Sequence, residues 1–230
     1  MSRPAFEIAC PGGGPVVVMA ELTCSELLMA MKLAGSERSE ILRGMAVNRE
    51  AVRMALRQVD GEPVTAQDLQ GDGWRRRFPR TRHAFFLARA WAHIHVPEEA
   101  EARAIVDGAR VAVDGEAESW AVTLPDGREV VLVEADPETV GQALARAERE
   151  AQSPAAQEFL GLLEGGRRSI RSVAGRAVSS EDLAGKRWDA TFTVRETFLL
   201  GRVWSAMHLA DPQEADAGLG GMRPVPGGGS

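Results

Sequence analysis

The sequence predicts an α+β fold, mainly α, arranged as two tandem similar domains, each a β-hairpin followed by a small helical bundle. Three observations carry this reading. First, residues 82–95 (RHAFFLARAWAHIH) and 195–208 (RETFLLGRVWSAMH) share six of fourteen positions at an offset of 113: Arg82/Arg195, Phe85/Phe198, Leu87/Leu200, Arg89/Arg202, Trp91/Trp204 and His95/His208. With only five Trp and four His in 230 residues, pairing one of each is a strong sign of an internal repeat. Second, the match continues upstream in order, at an offset of 114, through Trp74/Trp188, Asp68-Leu69/Asp182-Leu183, Val64/Val178 and Gly61/Gly175. Third, both units open on β-rich runs around a turn, FEIACPGGGPVVVMA and AVTLPDGREVVLV, which match at Pro11/Pro125, Gly13/Gly127, Val16/Val130 and Val17/Val131. The expected domains are 5–97 and 119–212. An acidic linker, 98–118, joins them, and a Gly/Pro-rich tail, 213–230, is expected to be disordered.

The elements follow in order within each unit. After the hairpin, Thr23 to Glu26 reads as a capping box that starts a helix. In the second unit Asp136, with Pro137 at the first helical position, supplies the same start signal. A second helical region is expected at about 37–58 and 154–172, with Gly44 and the Gly165-Gly166 pair as candidate breaks. The stretches VDGEPV (59–64) and VAGRAV (173–178) read as turns. Thr65 and Ser179 then read as caps of short helices carrying Asp68 and Asp182. In the last helix Phe85, Ala88, Trp91, Ala92 and His95 share a face at helical spacing, as do Phe198, Gly201, Trp204, Ser205 and His208. That face is expected to be core. Pro97 and Pro212 follow the helix ends. The linker holds seven acids against two arginines, and reads as a helix (PEEAEARAIV) followed by a strand near Arg110–Val113.

Composition limits the function. A net charge of -6 and a pI near 5.4 argue against a dedicated duplex nucleic-acid binder. No apolar run approaches the roughly 20 residues that span a bilayer, and the N-terminus lacks the apolar stretch of a signal peptide. Cys10 and Cys24 cannot build a disulfide framework and read as buried thiols. The expectation is a reduced, cytoplasmic protein without cofactor, metal, nucleic-acid or membrane partner. His93 and His95 cannot chelate one ion, because residues two apart on a helix point about 200° from each other. His95 and His208 instead sit where a helix C-terminus favours an imidazolium, or where a neutral ring caps a carbonyl. Gly12-Gly13-Gly14 lacks the Lys-Ser/Thr of a phosphate loop and precedes a strand. Asp68 and Asp182 are explained by helix N-terminal charge more simply than by acid–base chemistry.

One cluster stands out as a candidate partner-binding site: Arg75, Arg76, Arg77, Arg80 and Arg82. The second unit has Lys186-Arg187 before Trp188 and Asp189 after it, so the fold does not demand the run. It is read as a solvated loop and helix start, as a contact for an acidic surface of a partner or of the chain's own linker, or as a phosphate-binding patch.

The first unit combines Glu21-Leu22-Thr23, the turn Val59-Asp60-Gly61-Glu62-Pro63-Val64, Trp74, and Ile94-His95 with Pro97-Glu98. In this pattern it resembles the tail assembly chaperones of tailed phages and prophages. The second unit keeps Trp188, Phe198 and His208 but lacks the ELT and DG-x-PV segments, and a tandem pair departs from the usual single unit. The resemblance implies a non-enzymatic helper in the cytoplasm of the host cell. Such proteins bind the tape-measure protein, or other tail proteins, during tail morphogenesis. Two alternatives stand beside it: a structural baseplate or connector subunit of a phage tail or contractile injection machine, and a small enzyme with a site between the domains. Self-association is also open.

Overall fold

The computed structural model describes residues 4–35, 39–114 and 117–209. The tail expected to be disordered lies outside them. The chain is a mixed α/β protein, 54% helical and 19% strand, with two antiparallel sheets.

Strands β1 (Ala5–Ala9) and β2 (Val16–Ala20) pair antiparallel from Ala5↔Ala20 to Ala9↔Val16. The connecting turn places Gly12 and Gly13 at positive φ, 66° and 69°, where a side chain would be strained. On β2 the pleat turns Val17 and Met19 inward, both fully buried. Helix α1 (Cys24–Ala34) starts at Thr23, whose hydroxyl accepts from the Glu26 amide while the Glu26 carboxylate accepts from the Thr23 amide. Helix α2 (Glu40–Ala55) leads directly into β3 (Leu56–Val59), which pairs with β2 across a bulge at Val18/Met19. Asp60 and Gly61, both at positive φ, turn the chain into the short β4 (Glu62–Pro63). The first sheet therefore has the order β1-β2-β3-β4. Helices α3 (Asp72–Arg77) and α4 (Thr81–His95) follow.

The segment 98–118 forms α5 (Glu99–Asp107) and β5 (Arg110–Asp114), the helix and strand that its sequence predicted. The second sheet has the order β5-β6-β7-β8-β9, with β6 (Ala117–Thr123), β7 (Glu129–Val133), β8 (Ile170–Val173) and β9 (Arg176–Ala177). Between β7 and β8 run α6 (Pro137–Glu150) and α7 (Pro154–Ser169), and after β9 come α8 (Lys186–Thr191) and α9 (Val194–His208). The order β-β-α-α-β-β-α-α thus occurs over residues 5–95 and again over 117–208. Below, these are the first and second halves.

Four local expectations need correction. The second helical regions end at Ala55 and Ser169, and 56–58 and 170–172 belong to β3 and β8, which pair with β2 and β7 through Val59 and Val173 and so extend each sheet beyond the expected hairpin. The glycines do not break α2 or α7, each of which is continuous. Gly165 instead admits the Trp204 ring: a Cβ there would lie 2.3 Å from its Cε2. Gly201 admits Leu162 in the same way, at 2.7 Å from its Cβ. The segments after Thr65 and Ser179 are hydrogen-bonded turns, not helices. The Asp68 carboxylate accepts from the Thr65 amide at 2.8 Å, and Asp182 accepts from the Ser179 amide at 2.9 Å. Each carboxyl is held below the usual range by its Thr65 or Ser179 hydroxyl first, then by that amide. Finally, the buried face of α4 is His83, Leu87, Trp91 and His95, while Phe85 points outward. The buried face lies about one position around the helix from the predicted stripe, because α4 packs on α2 and α9 with Leu87 turned into the core.

His95 closes the first half. The Leu22 amide donates to its Nε2 at 2.8 Å, so that nitrogen carries no proton. Nδ1 then holds the hydrogen and donates to the Trp91 carbonyl, also at 2.8 Å. In the second half the Ala135 amide donates to Nε2 of His208, whose Nδ1 bonds the Trp204 carbonyl. Both rings stack on the tryptophan one turn back, with centroids 4.9 and 5.1 Å apart. The neutral-ring alternative is the one realised, since an imidazolium has no acceptor to offer Leu22.

Burial drives the His95 pKa down from 6.5 to about 4. Between these values the unfolded chain binds a proton that the folded one excludes, so stability falls as pH falls through that window. Urea unfolding should show full stability above the ordinary histidine pKa and a loss of up to about 3 kcal/mol by the acid end. His95→Gln should flatten the slope. For Gly165→Ala, the same measurement at neutral pH should show a loss of about 1–3 kcal/mol, because the Trp204 ring must move.

Candidate functional site

The five arginines do not converge. Gly71, at φ 52°, starts α3, and Trp74 packs on Phe78 at 4.6 Å to close it. Arg75, Arg76 and Arg77 fill its last turn, where the helix dipole favours positive charge. Arg77 turns back to Glu62 of β4 at 2.7 Å. Arg75 lies 3.9 Å from Asp72, with both side chains more than four-fifths exposed. Such a pair adds little stability. Arg76 donates to the Asp72 carbonyl, and Arg82 reaches the Gly12 carbonyl, each at 3.4 Å. Arg80, at the start of α4, is exposed.

Among the described residues, the acids of the linker do not pair with this run. Glu101 on α5 pairs with Arg195 of α9, which also donates to the carbonyls of His93 and Val96 at 3.0 and 3.2 Å. Glu99 faces Arg103 and Arg202, at 3.7 and 3.9 Å. Sequence proximity favoured the arginine run. The fold carries α5 to the second half instead, where it packs on α9.

Beside Arg75 the surface opens into an apolar groove of about 290 Å³ between α2, α3 and α4, lined by Leu42, Met45, Trp74, Phe85 and Ala88 with Arg49 at its rim. Leu42, Met45 and Phe85 are each about half exposed. Ile41, beyond the groove on the same helix, is 77% exposed. Such a concentration of large apolar side chains around a concavity is a feature that interaction surfaces share. The sequence concealed it, because Phe85 fits a core stripe as well as a surface one.

In the second half the corresponding surface is filled by α1. Helix α1 packs against α7, α8 and α9. There Thr197 Oγ1 donates to the Thr193 carbonyl and accepts from Trp188 Nε1 at 2.8 Å. Its remaining lone pair takes the thiol hydrogen of Cys24, 3.1 Å away. Asp189 accepts from the Ser25 amide at 3.2 Å and from the Ser25 hydroxyl. Burial above all pushes the Cys24 thiol up to about 12, so it stays protonated as a donor and is no nucleophile. Cys10 is likewise buried, with its pKa raised by desolvation first and Asp60 second.

His83 was not singled out in the sequence. It is buried over Gly14, where a Cβ would lie 2.7 Å from its Nε2, and its ring nitrogens make no hydrogen bond among the described residues. In the second half Arg128 and Glu196, paired at 2.8 Å, hold these places, so the contact is a packing substitution for an ion pair. Among the described residues no three His, Cys, Asp or Glu side chains gather as metal ligands, and both nitrogens of His95 are committed to protein hydrogen bonds. No helix of the described residues is long and apolar enough to cross a membrane. A larger groove of about 600 Å³ lies between α5, α6, α7 and α9, lined mainly by apolar residues such as Val96, Leu144, Phe198 and Leu209.

No protein-family model, curated protein or solved structure matches the chain.

The Asp189 contact caps a helix from another element, so its removal has a measurable cost. Asp189→Ala should lower unfolding stability by about 1 kcal/mol, as loss of a helix cap does. Cys24 should also react faster with a thiol reagent in this variant than in wild type.

Proposed function

We propose that residues 5–97 and 119–212 are tandem copies of one unit, joined by the acidic segment 98–118. We further propose that the chain is a non-enzymatic tail assembly chaperone of phage or prophage type, acting on a tape-measure protein. Several paired features support the duplication. The order of elements recurs, as do the bulges at Val18/Met19 and Val131/Leu132 and the His95 and His208 bridges. The buried pairs Glu50–Arg53 and Glu164–Arg167 recur too, each arginine also bonding a carbonyl of the following turn at 2.8 Å.

The observation that carries the functional reading is the apolar groove beside the arginine run. A tape-measure helix presents apolar stripes before the tail tube encloses it. A groove lined by Leu42, Met45 and Phe85 has the shape for helix-in-groove contact, and Arg49 on it and Arg75 in the adjoining cavity suit acidic residues flanking such a stripe. Copy 1 is then the binding copy. Copy 2, whose equivalent surface is filled by α1, is the scaffold.

The test is co-expression with a tape-measure protein from the same genome. The wild-type chain should keep that protein soluble. Changing Leu42 and Phe85 to Ser, or Arg75, Arg76 and Arg77 to Ser, should return it to the insoluble fraction, and high salt should weaken the complex through its arginines. Wild-type solubilisation by both variants would overturn the reading. Stable presence in purified particles would favour a baseplate or connector subunit instead.

A further inference from the structure

We infer that the α2/α3/α4 groove of one molecule receives helix α6 of a second copy of this chain, giving head-to-tail self-association. The argument rests on the proposed equivalence of the two halves and is independent of the tail-assembly reading.

The molecule already contains a worked example of this contact. Helix α1 of the first half lies on α7, α8 and α9 of the second, with Cys24 and Ser25 at its start meeting Thr197 and Asp189. The corresponding groove in the first half lies between α2, α3 and α4. Phe159, Trp188 and Thr197 are buried in the filled site, whereas Met45, Trp74 and Ala84 at the matching places line the open one. What fills the site is the first helix after the hairpin, and its counterpart in the second half is α6. Leu22 and Ala135 give their amides to His95 and His208, which fixes the correspondence of the two helices. It pairs Cys24 with Pro137, Ser25 with Glu138, Leu28 with Gly141 and Met31 with Leu144.

Exposure agrees with an occupant that is missing. Cys24 is buried against the other half and Met31 is buried too, but Pro137, Gly141 and Leu144 are exposed. Together with Val140 they form a narrow apolar stripe, with a glycine that permits close approach. Charge then identifies the occupant. Inside the molecule, Ser25 meets Asp189. At the matching places stand Arg75, which lines the cavity adjoining the groove at Arg49 and Trp74, and Glu138 on α6, so a neutral–acidic contact becomes an acid–base pair. The two substitutions lie on surfaces that do not touch each other in one chain yet are complementary between chains. This is the pattern of a heterologous interface. Each molecule offers one groove and one α6, so the contact propagates as a ring or an open chain. A helical partner in the groove would compete with it.

The test uses the purified full-length chain alone. Sedimentation velocity over a concentration series should show reversible self-association of wild type. Arg75→Glu and Glu138→Arg should each weaken it by about tenfold or more, because each places like charges in contact. An equimolar mixture of the two variants should regain assembly, since every groove then meets an α6 of opposite charge. Both residues are exposed, and thermal unfolding checks that the variants fold. In a second arm, single Arg75→Cys and Glu138→Cys variants are mixed under mild oxidation, and a disulfide-linked heterodimer is expected. A wild type that stays monomeric throughout, self-association unaffected by either charge reversal, or a mixture that fails to recover would each overturn the inference. None of these results bears on tape-measure solubilisation, and superposing the two halves in an experimental structure tests their equivalence separately.

Discussion

A neutral imidazole at the end of a helix is the interaction on which the arrangement depends. His95 accepts the Leu22 amide, and this fixes the point where β2 hands over to α1. The next residue, Thr23, caps α1, and the two after it, Cys24 and Ser25, make the contacts to the second half. One buried hydrogen bond therefore registers the last helix of the first half, the start of its first helix and the junction between the halves. Buried donors must be satisfied. Loss of this acceptor would leave the Leu22 amide unpaired inside the core.

The two halves use similar parts to reach different states. Gly165 and Gly201 let α7 and α9 approach closely, with Trp204 and Leu162 filling the space that side chains would take. The first half has Ala51 and Ala88 at the matching places. Its helices leave a groove whose walls include Leu42, Met45 and Phe85. A change of one methyl group at a helix crossing is felt through the close packing of protein interiors.

Much of this was legible in the sequence. The capping signals at Thr23 and Asp136 are local chemistry, and the helices start where those residues place them. The hairpins followed from β-rich runs around Gly12-Gly13 and Pro125-Asp126-Gly127, because turns of this kind are set by a few residues. The destination of α5 was not legible. Glu101 selects Arg195 over the nearer arginine run through the path of the chain, which residue spacing does not encode. Phe85 departs from its expected core position for a related reason. Helical periodicity gives a face but not its rotation, and a half-exposed aromatic beside a groove has the same spacing as a core one. The role of Gly165 was also hidden, since a mid-helix glycine reads as a breaker until the ring it admits is seen.

The thiol of Cys24 meets its acceptor, Thr197, 173 residues further along the chain. On a ribosome this separation becomes an interval of time. At roughly 5–20 residues per second, α1 is made about ten seconds or more before the surface that covers it. During that interval the sheet and helices of the first half are complete in sequence, yet the flank of α1 bearing Cys24 has nowhere to go. The nascent chain therefore carries two uncovered apolar faces, the α2/α3/α4 groove and α1, and its own second half removes only one of them.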